Sequence, residues 1–175
     1  MKIAITGHTS GIGLALLNHF QTNHTCIGFS RSNGYNISNP ADRARILLES
    51  LDADVFINNA YNNWDNSQFL MLEKVASQWA GRDKLIINSA SIITDSRRPV
   101  NDPAEKYVQT KMLLDNFTKD YRGLPYISNL KFGWVDTPRV AMFNEKKMPV
   151  EKVVKLVDFV IQNKGMLYIK SLTLV

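Results

Sequence analysis

Apolar residues in this chain come in short unbroken runs that repeatedly give way to stripes at helical spacing. Ile3, Ala4 and Ile5 form the first run; it stops at Thr6-Gly7, and Leu14, Leu16, Leu17 and Phe20 then keep a partly apolar helical face. Residues 25–29 (TCIGF), 54–58 (DVFIN), 84–88 (KLIIN) and 127–130 (ISNL) read as further strands, 54–58 a buried one. Residues 40–50, opened by Pro40, read as a helix, as do residues 67–79 through Leu70, Leu72, Val75, Ala76 and Trp79. A last helix over 149–162 carries Val153, Val154, Leu156, Val157 and Val160. The turn signal Asn33-Gly34 leads into residues 35–38, which predict a third short strand, and residues 166–175 predict a terminal edge strand. Alternating strand and helix signals of this kind predict an α/β fold, a doubly wound, mostly parallel sheet of about six or seven strands with helices on both faces.

Composition narrows the class. A chain of 175 residues with 45% hydrophobic residues suits one domain with an ample core. The single cysteine, Cys26, excludes an intramolecular disulfide framework and fits a reducing, cytoplasmic setting. No apolar stretch approaches the roughly 18 residues of a membrane span, so a soluble protein without membrane partners is expected. The net charge of +5 is spread along the chain, with doublets only at Arg97-Arg98 and Lys146-Lys147. That pattern describes a solvated surface and argues against a nucleic-acid partner. His8, His19 and His24 show no metal-ligand spacing, so no metal site is expected.

Chemistry enters where the first strand meets the first helix. Gly7, Gly11 and Gly13 stand where a tight turn, a close approach to a pyrophosphate and close helix-strand packing require glycine. With His8, Thr9, Ser10 and Ile12 they form an expected anion cradle at a helix N-terminus of a Rossmann-type fold. The second strand runs into Ser30, Arg31 and Ser32, whose hydroxyls and guanidinium suit a ribose 2′-phosphate, which favours NADP(H) over NAD(H). Tyr107 and Lys111 are spaced i, i+4 and share a helix face. An ammonium near a phenol favours the phenolate and lowers its pKa, which would make Tyr107 a usable acid/base.

Glycine loop, Asn58-Asn59-Ala60, strand-end serine and Tyr107-x-x-x-Lys111 follow one another as in the short-chain dehydrogenase/reductase family, which the chain resembles over nearly its whole length. The resemblance implies a single NAD(P)-binding domain over 1–175. Its catalytic residues would be Ser91, which matches the family's Asn-x-x-Ser position, Tyr107 and Lys111, with Ser89 and Thr94 open as substitutes for Ser91. Ser30 stands where NAD-binding members usually carry an aspartate, and Asn36-Ile37 resembles the family's Asp-Val pair beside the adenine. Asn59, Ala60 and Tyr61 match the Asn-Asn-Ala-Gly motif that borders the cofactor, with Tyr61 in place of glycine and Asn58 in a structural role. Gly133, Val135 and Thr137 match a segment that holds the nicotinamide carboxamide, with Phe132 replacing its proline.

The family usually places two helices where residues 67–79 leave room for one, and its catalytic asparagine has no definite match here. Residues 138–149 are expected to cover the substrate. The implied activity is NADP(H)-dependent hydride transfer between the nicotinamide and a small-molecule carbonyl or secondary alcohol. The implied assembly is a homodimer or homotetramer. The competing reading is a non-catalytic dinucleotide-binding sensor or regulatory module of the same fold, to which Tyr61, Phe132 and the unplaced asparagine point.

Overall fold

The structure, a computed structural model, describes residues 1–63, 65–95 and 104–175. Arg97-Arg98 and Trp64 lie outside the described residues. Six parallel strands, β1 (Lys2–Thr6), β2 (Thr25–Phe29), β3 (Val55–Asn58), β4 (Leu85–Ser91), β5 (Tyr126–Phe132) and β6 (Ser171–Leu174), form one sheet in the order β2-β1-β3-β4-β5-β6. Five helices connect them: α1 (Gly11–Phe20), α2 (Pro40–Glu49), α3 (Ser67–Gln78), α4 (Ala104–Asp120) and α5 (Val150–Gln162). No described helix is long and apolar enough to cross a membrane.

The unbroken apolar runs follow from burial of both sheet faces. Ile3, Ile5, Val55, Ile57, Leu85, Ile87 and Leu130 point to the face covered by α1 and α5, where Leu16, Phe20, Val153 and Val157 meet them. Their alternate neighbours Ala4, Phe56, Ile86 and Ile127 point to the other face, against Ile46 of α2, Leu72 and Val75 of α3 and Leu114 of α4. The strand period of two residues thus divides each run between two cores.

The strand predicted over 35–38 does not form, so the sheet has six strands and β2 is an edge. Side chains satisfy this segment's backbone locally: Asn36 N–H donates to Asp42 at 3.0 Å, and Ser38 N–H to the Asn36 side chain at 3.1 Å. Ile37 is buried among the α2-side core residues, and the Tyr35 hydroxyl donates to Glu49. Asx-type bonds of this kind compete with a sheet ladder and prevail here.

Strand order reverses between β2-β1 and β1-β3, and ligands of open α/β sheets bind in the crevice outside the strand C-termini at such a switch point. The glycine loop after β1 and Asn59-Ala60-Tyr61 after β3 both lie there.

Candidate active site

The glycine loop is a cradle that side chains would fill. Gly7 has φ +72, and a Cβ on it would meet the Ala60 Cα at 3.1 Å; a Cβ on Gly13 would lie 2.1 Å from the Gly7 carbonyl oxygen. Helix α1 begins at Gly11 without a side-chain cap from Ser10, which leaves the N–H groups of its first turn to a ligand. A dinucleotide pyrophosphate fits this donor set. Thr6 anchors the loop: its hydroxyl accepts from the Asn59 and Ala60 N–H groups, both at 2.9 Å, and donates to the Ile57 carbonyl. The Asn59 side chain donates to the Thr6 carbonyl at 3.1 Å and accepts from Ser89 Oγ at 3.1 Å, so it ties β1, β3 and β4 together. Thr9 is exposed beside the cradle.

On the adenosine side, Ser30 Oγ and Ser32 Oγ lie 2.8 Å apart. Asn33, which sequence reasoning passed over, accepts from Ser30 N–H at 2.8 Å and donates to the Gly28 carbonyl at 2.9 Å. Arg31 stands exposed beside them, on a 3-10 turn over Arg31–Asn33. His8 lies against β2: a Cβ on Gly28 would meet its ring at 2.3 Å, so a larger residue there would displace the imidazole. The Ile37 side chain is committed to the core, its carbonyl accepts from Arg43 Nη1, and the Asn36 side chain accepts from Ser38 N–H, so the structure turns none of these groups toward a ligand.

At the C-terminal end of β4, the Ser91 hydroxyl accepts from Ile93 N–H at 3.3 Å and stands near enough to the Tyr107 phenol to pull its pKa down. The two alternatives are otherwise engaged, Ser89 Oγ with Asn59 and Thr94 Oγ1 with the Ser91 carbonyl at 3.0 Å. Lys111 is 4% exposed; its Nζ donates to Gln68 Oε1 at 2.7 Å and to the Ser89 carbonyl at 2.8 Å, and lies 5.6 Å from the Tyr107 ring centroid. Burial, with Arg139 nearby and Asp115 opposing, pulls its pKa down to about 7.

The expected lowering of the Tyr107 pKa is not seen. Burial pushes that phenol above its ordinary value against the pull of Ser91 and Arg139, and Lys111, its own pKa down at about 7, has lost its charge where a phenol ionises. Gln68 is a residue that sequence reasoning missed. Its Nε2 donates to the Asn58 carbonyl at 2.8 Å, which aims Oε1 at Lys111.

Beneath this group runs a ladder of buried amides. Asn58, Asn88 and Asn129 are in register on β3, β4 and β5. Asn58 Nδ2 donates to Asn88 Oδ1 at 3.0 Å, Asn88 Nδ2 to Asn129 Oδ1 at 2.7 Å, and Asn129 Nδ2 to Asp115 Oδ1 at 2.9 Å. An ionised carboxylate only accepts, so Asp115 sets the direction of every amide in the ladder. Asp115 also pairs with Lys131 at 2.7 Å. Asn58 is therefore structural: it also donates to the Gln68 carbonyl at 2.9 Å and holds the start of α3.

Tyr61 fills the space its glycine counterpart would leave open. Its ring meets Tyr107 edge-on with centroids 5.1 Å apart, and Lys111 Nζ and the Arg139 guanidinium lie 4.7 and 5.3 Å from its centroid. Burial, reinforced by Tyr107, pushes the Tyr61 phenol up to about 12. Across the crevice, Gly133 N–H donates to the Leu174 carbonyl, and Val135 is buried and bridged in parallel to Met148. A Cβ on Gly11 would come within 3.3 Å of the Thr137 methyl, which puts Thr137 against the cradle. Phe132, in the place of a proline, is buried and in register with Ser91.

No model of a protein family matches the chain. Nor does any curated protein sequence. Solved structures do match. 4-Hydroxyisoleucine dehydrogenase complexed with NADH aligns at TM-score 0.79 and 18% identity over 99% of this chain and 96% of that one. A short-chain dehydrogenase from Burkholderia cenocepacia J2315 in complex with NADP aligns at 0.76 and 16%, over 99% and 87%. Serine dehydrogenase from Escherichia coli aligns at 0.75 and 19%, over 99% and 97%. The chain thus has the Rossmann-type fold of short-chain dehydrogenases at full length.

Proposed function

We propose that the chain is an NADP(H)-dependent oxidoreductase of the short-chain dehydrogenase/reductase type, acting between a carbonyl and a secondary alcohol of a small molecule. The observation that carries this reading is the grouping of Ser91, Tyr107 and buried Lys111, with Lys111 Nζ 5.6 Å from the Tyr107 ring, next to a glycine cradle at the switch point. Solved structures of this fold holding NADH or NADP support a nicotinamide cofactor. Exposed Arg31 beside the paired Ser30 and Ser32 hydroxyls supports the 2′-phosphate form.

When bound, the nicotinamide supplies a hydride to the carbonyl carbon. The protein's part is to hold the carbonyl oxygen and deliver a proton to it. Ser91 Oγ holds the oxygen and Tyr107 gives up its phenolic proton. A phenol pushed above its ordinary pKa is fully protonated at neutral pH, which loads it for reduction. Lys111 holds the nicotinamide ribose, and the cradle of Gly7, Gly11 and Gly13 holds the pyrophosphate. Val135 and Thr137 receive the carboxamide, and residues 138–149 close over the substrate. With this reading go a cytoplasmic setting and homo-oligomeric assembly.

One observation favours a second reading, a dinucleotide-binding sensor without turnover: the Tyr61 ring stands across Tyr107 and Lys111. The test is calorimetric titration with NADPH and NADH, followed by a screen of aldehydes, ketones and sugar-derived carbonyls for NADPH oxidation. Tighter binding of NADPH with turnover of a carbonyl upholds the enzyme; tight binding without turnover across the screen favours the sensor.

A further inference from the structure

Arg139 is exposed, and no described carboxylate pairs with it. Its Nη2 donates at 2.7 Å to the neutral amide oxygen of Asn63. The nearby acids are engaged elsewhere. Asp65 accepts from Ser67 N–H at 2.9 Å and from Asn62, and Asp115 is held by Asn129 and Lys131. The guanidinium lies over the same Tyr61 ring that meets Tyr107 edge-on, so it is two ring contacts from the proposed proton donor. Lys111 lies over that ring as well. The Tyr61 hydroxyl is buried and has no hydrogen-bond partner among the described residues.

The Arg139 guanidinium and the Lys111 amine therefore meet on the Tyr61 ring, which stands against Tyr107. A buried donor without an acceptor is costly, and a guanidinium stacked on a ring keeps N–H groups along its edge, where a planar carboxylate can accept in bidentate fashion. A neutral substrate would leave the guanidinium with Asn63 and solvent alone. An oxidised nicotinamide ring, itself cationic, would add a further positive charge, whereas an anionic group on the substrate offsets it.

We propose that Arg139, held over the Tyr61 ring, forms a subsite for a carboxylate carried one or two carbons from the reacting carbonyl, so that the substrate class is the short oxo acids and their hydroxy acids. This rests on the reductase reading above. Asn63 acts as a positioning residue that holds the guanidinium over Tyr61.

The experiment compares kcat/KM of the full chain with NADPH for 2-oxobutanoate and 3-oxobutanoate against their methyl esters, in the native protein, Arg139→Gln and Arg139→Lys. A charge-assisted bidentate contact predicts an acid-over-ester preference of roughly tenfold to a hundredfold, expressed in KM. That ratio should collapse toward one in Arg139→Gln and recover in part in Arg139→Lys. Calorimetric titration of the protein with oxalate, which needs no turnover, should show binding that Arg139→Gln weakens by roughly tenfold or more. Equal use of acids and esters by the native protein overturns the proposal, as does oxalate binding indifferent to Arg139. Weaker NADPH binding in Arg139→Gln with the acid-over-ester ratio intact also overturns it, and assigns the guanidinium to the cofactor phosphates. If no carbonyl compound is reduced but Arg139-dependent oxalate binding is found, the subsite stands and the reductase reading falls.

Discussion

Replacing Lys111 by methionine should change how stability depends on pH, by an amount that the burial of the ammonium determines. In the folded chain Lys111 has a pKa of about 7 against an ordinary 10.5, because burial disfavours its charged form. The folded value lies below the unfolded one, so between the two the unfolded chain keeps a proton that the folded chain has released. The native protein therefore gains stability from this group as pH rises through that window, at about 1.4 kcal/mol per pH unit. Between pH 7 and pH 9 the gain is about 2 kcal/mol, and Lys111→Met lacks it. The variant also leaves Gln68 Oε1 without its donor, at about 1–3 kcal/mol, but that loss is the same at both pH values and cancels in the difference. Other titrating groups are common to both proteins and cancel too. Urea unfolding of the cofactor-free proteins, followed by tryptophan fluorescence, measures the four stabilities. A gap between native and variant that stays constant from pH 7 to pH 9 would refute the assignment of Lys111 as a buried amine held by neutral acceptors.

Arg31→Ala should raise the dissociation constant for NADPH by roughly tenfold to a hundredfold and leave that for NADH nearly unchanged; equal losses by calorimetry would remove the 2′-phosphate assignment. Gly13→Ala drives a methyl into the Gly7 carbonyl oxygen, so NADPH titration should show binding lost, and an affinity near the native one would contradict the cradle. Asn88→Ala removes the middle rung of the amide ladder and leaves the Asn58 Nδ2 group one acceptor short, which should lower the unfolding free energy by about 2–4 kcal/mol. A loss under about 0.5 kcal/mol, typical of a surface change, would show the ladder to be incidental.

Much of the fold is legible because burial on both faces imposes unbroken apolar runs: residues 54–58 mark β3, and Val153 to Val160 mark the buried stripe of α5. Residues 35–38 mislead because Tyr35 and Ile37 carry strand propensity, while Asn36 and Asp42 supply competing local bonds that no periodicity reveals. At the site, Ser91, Tyr107 and Lys111 are readable from spacing, and the structure brings all three together. Their electrostatics are not, because the partners that orient Lys111 come from Gln68, 43 residues away. Arg139 meets Asn63 across 76 residues, a pairing that exists only once β3 and β5 share a sheet. Gln68 looked like an ordinary polar residue opening a helix; the one available hint was a long amide beside Ser67 at the buried start of α3.

The proposed chemistry turns on one proton, so Tyr107→Phe tests it most directly. The measurement is steady-state NADPH oxidation with the best carbonyl substrate from the screen, alongside calorimetric NADPH titration of the same variant. Loss of the proton donor predicts a kcat reduced by roughly a hundredfold to ten-thousandfold, with NADPH still bound. A variant that turns the substrate over at the native rate would contradict the assignment of Tyr107 as the acid.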